Sequence, residues 1–344
     1  MKTNTDFAKF LSKFLSEYLP HERNMSPNTI LSYRDTFVQF IRYMKDEQKI
    51  RIEKLTLDKM TKEVVLGFLV WIQNNRKCGI ATRNYRLAAI HSFISYLQYE
   101  DIVRLDHWQK ILSIKAMKSE KKSINYLTID ALKLLLEQPD ITTSKGRRNL
   151  ALMALMYDTG ARVQEIIDLT PESIYIASTP YTIRLLGKGR KYRVVPLMEE
   201  QVTLLKRYME ENKLREESRL KYPLFSNSRG EKLTRAGVAF ILKTHVEMAR
   251  AINPDLIPES VSCHSLRHSK AMHLLQAGVN MVYIRDILGH ASIQTTDIYA
   301  RADSKQKREA LEKAYIINLV PKSDKTPLWE KNQNLLEWLN GFRK

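Results

Sequence analysis

The chain is 344 residues long, and its 56 lysines and arginines against 38 aspartates and glutamates give a formal charge of +18. That length favours two domains, each able to bury its own core, and that charge points to a polyanionic partner, although a solvated basic surface alone would also produce it. The longest apolar run, Val64 to Ile72 interrupted by Gly67, is far too short for a membrane span. The N-terminus carries no secretory apolar region, and the two cysteines, Cys78 and Cys263, stand far apart. Both features argue against a secreted disulfide framework and lead us to expect a soluble protein of the reducing cytoplasm.

Apolar positions Phe7, Phe10, Leu11, Phe14, Leu15 and Tyr18 recur at helical spacing and predict a helix over 7–19 that Pro20 ends. Ser26-Pro27 predicts the next start, with serine as N-cap and proline at the first helical position. The helix that follows turns Ile30, Phe37, Ile41 and Met44 inward and Arg34 to another face. Helices over 62–74 and 81–99 come next. The second opens with Thr82, Arg83, Asn84 and Arg86, a set suited to phosphates and base edges and equally to an exposed polar face. From 114 to 125 the chain carries Lys115, Lys118, Lys121 and Lys122 with little apolar period. That run reads as a solvated linker, and a basic linker can also lie along a phosphate backbone. The expected division is therefore a helical domain over 1–113, a basic linker over 114–125, a second domain over 126–319 and a tail over 320–344.

In the second domain Thr128 caps a helix containing Ala131, Leu132, Leu135 and Leu136, and the nearly uniform apolar run 149–157 predicts a central core helix. Gly160 then permits a sharp turn. Arg162 follows at the start of another helix, where free backbone N–H groups and a guanidinium together suit an oxyanion. Two strand signals, Y-T-I-R-L-L and Y-R-V-V-P-L, are joined by Gly187 to Lys191, with Lys188 at the hairpin tip. A lysine there is ordinarily a solubilising charge, and the spacing is not that of a nucleotide-binding loop. Helices over 201–219 and 234–251 flank a short buried step at Leu224-Phe225.

Between Cys263 and Tyr299 the chemistry-bearing residues gather. Leu266, Met272, Leu274 and Leu275 form a helical stripe ended by Gly278, while His264 and Arg267 share a different face. A second helix over 282–288 stops at Gly289, with His290 just beyond, and Ser292 caps a turn carrying Thr295, Thr296 and Tyr299. His268 reads as a buried, hydrogen-bonded helix histidine and His273 as a surface residue. His264 and His268 have the spacing of a zinc pair, but Ser265 stands where a zinc hydrolase helix needs glutamate and no third ligand is evident, so neither metal nor cofactor is expected. A helix over 304–319, a break from Pro321 to Pro327 and an amphipathic segment with Trp329 and Trp338 complete the chain.

The ordered set T-G-A-R-V-Q-E-I, G-K-G-R-K-Y-R-V-V-P-L, H-S-L-R-H-S, L-G-H-A-S and T-T-D-I-Y resembles the tyrosine recombinase (phage integrase) family, strongly from about Tyr126 to Tyr315 and more weakly over the N-terminal helices. The resemblance implies a mainly α fold with a small β-hairpin or sheet: an N-terminal helical, SAM-like core-DNA-binding domain and an α-rich catalytic domain. It makes Tyr299 the nucleophile, Arg162 and Arg267 phosphate clamps, Lys188 the general acid, His264 an acid/base partner, His290 a phosphate donor and Glu165 the acidic support of the pocket. It further implies a site-specific recombinase that works through a 3′-phosphotyrosyl intermediate, without metal or ATP, as a homotetramer on two double-stranded DNA sites. Their cores would be inverted repeats, clamped between the two domains and the linker. The tail would dock on the next protomer. Arg34, Thr82, Arg83, Asn84, Arg86, Lys118, Lys121 and Lys122 are the expected DNA contacts. The favoured role is mobile-element integration and excision, ahead of dimer resolution, type IB topoisomerase-like relaxation, or DNA binding by an inactive site.

Overall fold

The computed structural model describes residues 5–118, 124–187, 189, 191–290 and 292–302. Contacts divide the chain into two units, Met1–Lys122 and Ser123–Lys344. Lys121, Lys122, Lys188 and the whole tail, including Trp329 and Trp338, lie outside the described residues.

The first unit is helical. Thr5 accepts the Ala8 N–H and starts α1, Asp6–Lys13. The chain then continues through π-helical turns from Phe14 to Glu22 with Pro20 inside them, so Pro20 does not end the helix as its position predicts. In an α-helix the proline ring meets the carbonyl four residues back, and the wider π turn relieves that contact. Helix α2, Pro27–Asp46, begins as expected, with the Ser26 hydroxyl accepting the Thr29 N–H at 3.3 Å. Helices α3, Lys62–Asn74, α4, Ile80–Glu100, and α5, Leu105–Leu112, complete the unit. Its core is rich in aromatic rings: Phe93 lies edge-on to both Phe14 and Phe37, with centroids 5.2 and 5.1 Å away. Ile114 packs into the same core.

In the second unit Thr128 caps α6, Ile129–Leu136, and Thr143 caps α7, Ser144–Thr159. Helix α7 buries Ala151, Leu152, Met153, Leu155 and Met156, which makes it the core helix that its composition predicts. After the short α8, Val163–Ile167, comes an antiparallel sheet in the order β1, Ile174–Tyr175, β2, Thr182–Leu186, and β3, Tyr192–Pro196. The register pairs Ile183 with Val195 and Leu185 with Arg193, which puts Arg193 on the inward side of its strand with Val195. Two residues of β1 are too few to announce themselves by alternation.

Helix α9 spans Glu199–Glu211 and is shorter than its charge pattern predicts. Lys213 adopts a φ of +55° and the Leu214 N–H reaches back to the Met209 carbonyl, which turns the Leu214 side chain into the core. A buried leucine just past a left-handed residue is the usual hydrophobic partner of a helix stop. Helices α10, Arg235–Ile252, α11, Cys263–Gln276, α12, Met281–Leu288, and α13, Asp297–Ala302, follow. Helix α11 packs against α7, α12 and α13 and is the axis of the region described next.

Gly160 closes α7 with a φ of +57°, and a Cβ there would meet Leu288 Cδ2 at 2.7 Å. Both the left-handed conformation and the crowding oppose any side chain. Gly160→Ala should therefore lower the unfolding free energy of the second unit by about 2–4 kcal/mol in urea titrations. An unchanged midpoint and slope would refute that reading of the turn.

Candidate active site

The turn after Gly160 delivers Arg162 as N-cap of α8, and Glu165 stands at the third position of that helix. Glu165 is 5% exposed and accepts three hydrogen bonds. Oε2 takes the Arg162 backbone N–H at 2.8 Å and Arg193 Nη2 at 2.7 Å, while Oε1 takes Arg162 Nη1 at 2.8 Å. Burial pushes this carboxyl upward, but the hydrogen bond and charge of Arg193, then those of Arg162, outweigh it and hold Glu165 below the usual glutamate range. The carboxylate thus fixes one arginine from α8 and one from β3.

Three guanidiniums converge on the C-terminal end of α12. Arg193 Nε donates to the Ile287 carbonyl at 2.8 Å, Arg267 Nη2 to Leu288 at 2.6 Å and Arg162 Nη2 to Gly289 at 3.2 Å. Carbonyls at a helix C-terminus lack partners within the helix and sit at its negative end, so cations are favoured there. Arg267 also donates from Nη1 to the Gly160 carbonyl at 2.7 Å, tying the ends of α7 and α12 together. Gly289 has a φ of +63°, which disfavours any side chain, and a Cβ there would also crowd Arg193, at 3.0 Å from its Cδ. Arg267 is 1% exposed, so it does not share an open face with His264; the paired carbonyls are what make its burial tolerable. Burial, then the charge of Arg162, lowers its pKa to about 10, so it remains charged at neutral pH. Its Nε has no partner among the described residues.

The histidines and Tyr299 lie along α11 beside this cluster. His264 is exposed in the first turn, and His268 one turn on meets its ring edge-on at 4.4 Å. Tyr299 is 1% exposed, and its hydroxyl lies 2.9 Å from His268 Nδ1. His290 stacks over the Tyr299 ring, with 10° between planes and 6.3 Å between centroids, and its Nδ1 lies 2.9 Å from Thr296 Oγ1. Burial first, and neighbouring positive charge second, lower both His268 and His290 to about 4, so both are neutral at pH 7. Burial raises the Tyr299 pKa while Arg267 and Arg162 pull it the other way.

Arg162, Glu165, His264, Arg267, His290 and Tyr299 are thus brought into one region. Lys188 lies outside the described residues. Its neighbour Gly187 is against Glu165, since a Cβ on Gly187 would stand 3.5 Å from Oε1. Arg193 receives no role from the sequence, although it stands in a quoted motif and carries a charge at an inward position of an alternating strand. His268 is the hydrogen-bonded helix histidine that the sequence predicts, half-buried, and what the sequence does not show is that its partner is Tyr299. His273 is half-buried rather than free on the surface, with Nδ1 2.9 Å from the Tyr157 hydroxyl. Among the described residues no group of three or more His, Cys, Asp or Glu side chains could hold a metal ion.

The predicted nucleic-acid contacts of the first unit divide into two sets. Arg83 is buried, Arg86 Nη1 donates to the Ser32 carbonyl and Thr36 Oγ1, and Asn84 exchanges two hydrogen bonds with the Met117 backbone. Arg86 and Asn84 thus tie α4 to other segments of its own unit, while Arg83 Nη1 donates to Asn84 beside it. Thr82 is half-buried, while Arg34, paired with Asp35 at 3.0 Å, and Lys118 are exposed. Elsewhere in the second unit a cleft of about 1020 Å³ opens between the start of α7 and α10, lined by Arg148, Asn149, Phe240 and His245. It contains none of the groups gathered around Tyr299. Among the described residues no helix is long and apolar enough to cross a membrane.

Residues 125–306 match the model of the phage integrase family, and residues 11–101 match that of the phage integrase N-terminal SAM-like domain. A putative integrase/recombinase, y4rC of Sinorhizobium fredii, is 33% identical over 99% of this chain and all of its own length. The tyrosine recombinase XerD of Oceanobacillus iheyensis is 33% identical over 82% of this chain and 90% of its own. In fold, the chain resembles the XerH site-specific recombinase bound to a palindromic difH substrate in a post-cleavage complex, with a TM-score of 0.67 and 24% identity over 84% of this chain and 81% of that one. With a family model covering more than half of the sequence and relatives matched over nearly their full length, the chain belongs to the phage integrase family of tyrosine recombinases.

Proposed function

We propose that the chain cuts and rejoins DNA strands by transesterification, with Tyr299 attacking a phosphodiester to form a covalent 3′-phosphotyrosyl intermediate. The observation that carries this reading is the convergence of Arg162 and Arg267 beside Tyr299 with the buried Glu165 behind them. A phosphodiester is anionic and repels nucleophiles, and its transition state carries more charge still. Fixed guanidiniums with unused N–H groups suit that charge. Arg162 and Arg267 hold the non-bridging oxygens, and His264 and His290 add hydrogen bonds. Lys188 protonates the departing 5′-oxygen, which would otherwise leave as a poor alkoxide. The phosphotyrosine conserves the energy of the broken bond, so a second 5′-hydroxyl can reverse the attack without ATP, and the arginines and lysine supply the positive charge that a metal would bring.

DNA as substrate is supported by the charge of +18 and by family membership. We place Arg34, Lys118, Lys121 and Lys122 toward the phosphate backbone, and infer a homotetramer acting on two inverted-repeat sites, with the 320–344 tail docking between protomers. Mobile-element integration and excision is the favoured role, supported by the full-length match to an integrase/recombinase. Resolution of chromosome or plasmid dimers is the second reading, favoured by the similarity to XerD.

The test uses a nicked suicide duplex carrying a site recovered from a randomised pool by binding to this protein. Incubated in chelator, the wild type should form an SDS-resistant protein–DNA adduct and Tyr299→Phe should form none. An adduct that persists in Tyr299→Phe, or cleavage that requires a divalent cation, would contradict the mechanism. Adduct formation followed by strand joining between two separate duplexes, rather than relaxation of one, would then be the expected signature of a recombinase.

A further inference from the structure

We propose that His268 takes the proton from Tyr299 during strand cleavage and returns it during rejoining, so that it is a catalytic base beyond the residues to which the resemblance assigns a role. The inference rests on Tyr299 being the nucleophile. Its ground is geometric: the Tyr299 hydroxyl lies 2.9 Å from His268 Nδ1, with the two rings 5.6 Å apart and inclined at 62°. Tyr299 is 1% exposed, so bulk water is not at hand to accept its proton.

The other groups nearby are poorly suited to the task. Arg162 and Arg267 are donors only. His290 Nδ1 is engaged by Thr296 Oγ1, and its ring lies flat over the tyrosine. His264 stands one turn nearer the surface, edge-on to His268. The titratable and charged groups facing His268 are His264 and Arg267 on α11 and Tyr299 on α13, with His290 on the Tyr299 ring. Tyr126, where the chain enters the unit, packs against the same apolar cluster as Tyr299.

The electrostatics are compatible with the assignment. Burial is the largest cause of the lowered His268 pKa, and the charges of His264 and Arg267 follow, so the ring is neutral and Nδ1 can accept a proton when Nε2 carries the hydrogen. A phosphate docked against Arg267 offsets one of those charges and raises the basicity of His268 as the nucleophile is needed. In cleavage the Oη–H bond breaks and the proton passes to Nδ1. The Oη electron pair forms the new bond to phosphorus, the bond to the 5′-oxygen breaks, and that oxygen leaves with a proton from Lys188. Rejoining runs the same steps backwards, with His268 returning its proton to Oη.

The test compares His268→Ala and His268→Asn with wild type on the nicked suicide duplex, by single-turnover adduct formation. Both variants should bind the duplex as the wild type does and form adduct about 10²- to 10⁴-fold more slowly. Asn can occupy the Nδ1 position but cannot take a proton, so it should restore little. Between about pH 7 and 9 the variants' rates should climb toward tenfold per unit, because cleavage then depends on prior ionisation of Tyr299, while the wild type stays flat with respect to this group. A 5′-phosphorothiolate leaving group needs no acid, and it should rescue Lys188→Ala but not His268→Ala. Wild-type rates in either variant, full recovery in His268→Asn, or phosphorothiolate rescue of His268→Ala would each overturn the proposal. Failure of the wild type itself to form a Tyr299 adduct would instead sink the underlying function.

Discussion

The site depends on the buried carboxylate of Glu165. It joins α8 to β3 through Arg162 and Arg193, and both arginines continue to carbonyls at the end of α12. Two buried or half-buried guanidiniums around one carboxylate are a poor source of net stability, because removing the charges from water costs about as much as their attraction returns. Such a cluster instead fixes direction: each guanidinium has one edge committed to protein and the remainder free. The same carboxylate carries a pH signature. Because its folded pKa is depressed, its stabilising contribution is present above the unfolded glutamate value and is lost as pH falls through the folded one.

Around that anchor the polar groups are arranged so that charge stays on the arginines and off the histidines. Arg267 remains cationic despite being almost fully buried, since two carbonyls and Glu165 accompany it. His268 and His290, half-buried in the same positive field, are neutral, because an imidazole gives up its proton far more readily than a guanidinium. Tyr299 is the most finely balanced, with burial opposing ionisation and the arginines favouring it. In the free protein burial prevails and holds the Tyr299 hydroxyl above the ordinary tyrosine range, while an anion docked against Arg267 would leave the balance to be set again.

Much of this was legible in the chain, for local reasons. The N-caps at Ser26 and Thr128, the glycine stops at Gly160 and Gly289 and the hairpin strands each follow from a few neighbouring residues, and the structure has them. What escaped the reading is set by partners far along the sequence. Pro20 continues its helix because the turns widen, and α9 stops early because Leu214 is drawn into the core. Arg83, Asn84 and Arg86 look like a polar surface until α2 and Met117 take up two of the side chains and burial takes the third. Arg193 joins Glu165 across 28 residues and His268 meets Tyr299 across 31, separations at which no periodicity speaks.

Because Glu165 organises both arginines, neutralising it tests the account most directly. Glu165→Gln keeps the shape of the side chain and removes the charge that orients Arg162 and Arg193. Single-turnover cleavage of a suicide duplex by this variant, measured beside its binding of the same duplex, should be slower by about a hundredfold or more with binding largely retained, the scale expected when catalytic groups move by about an ångström. Cleavage at the wild-type rate would show that the arginines hold their places without the carboxylate, and would contradict the account.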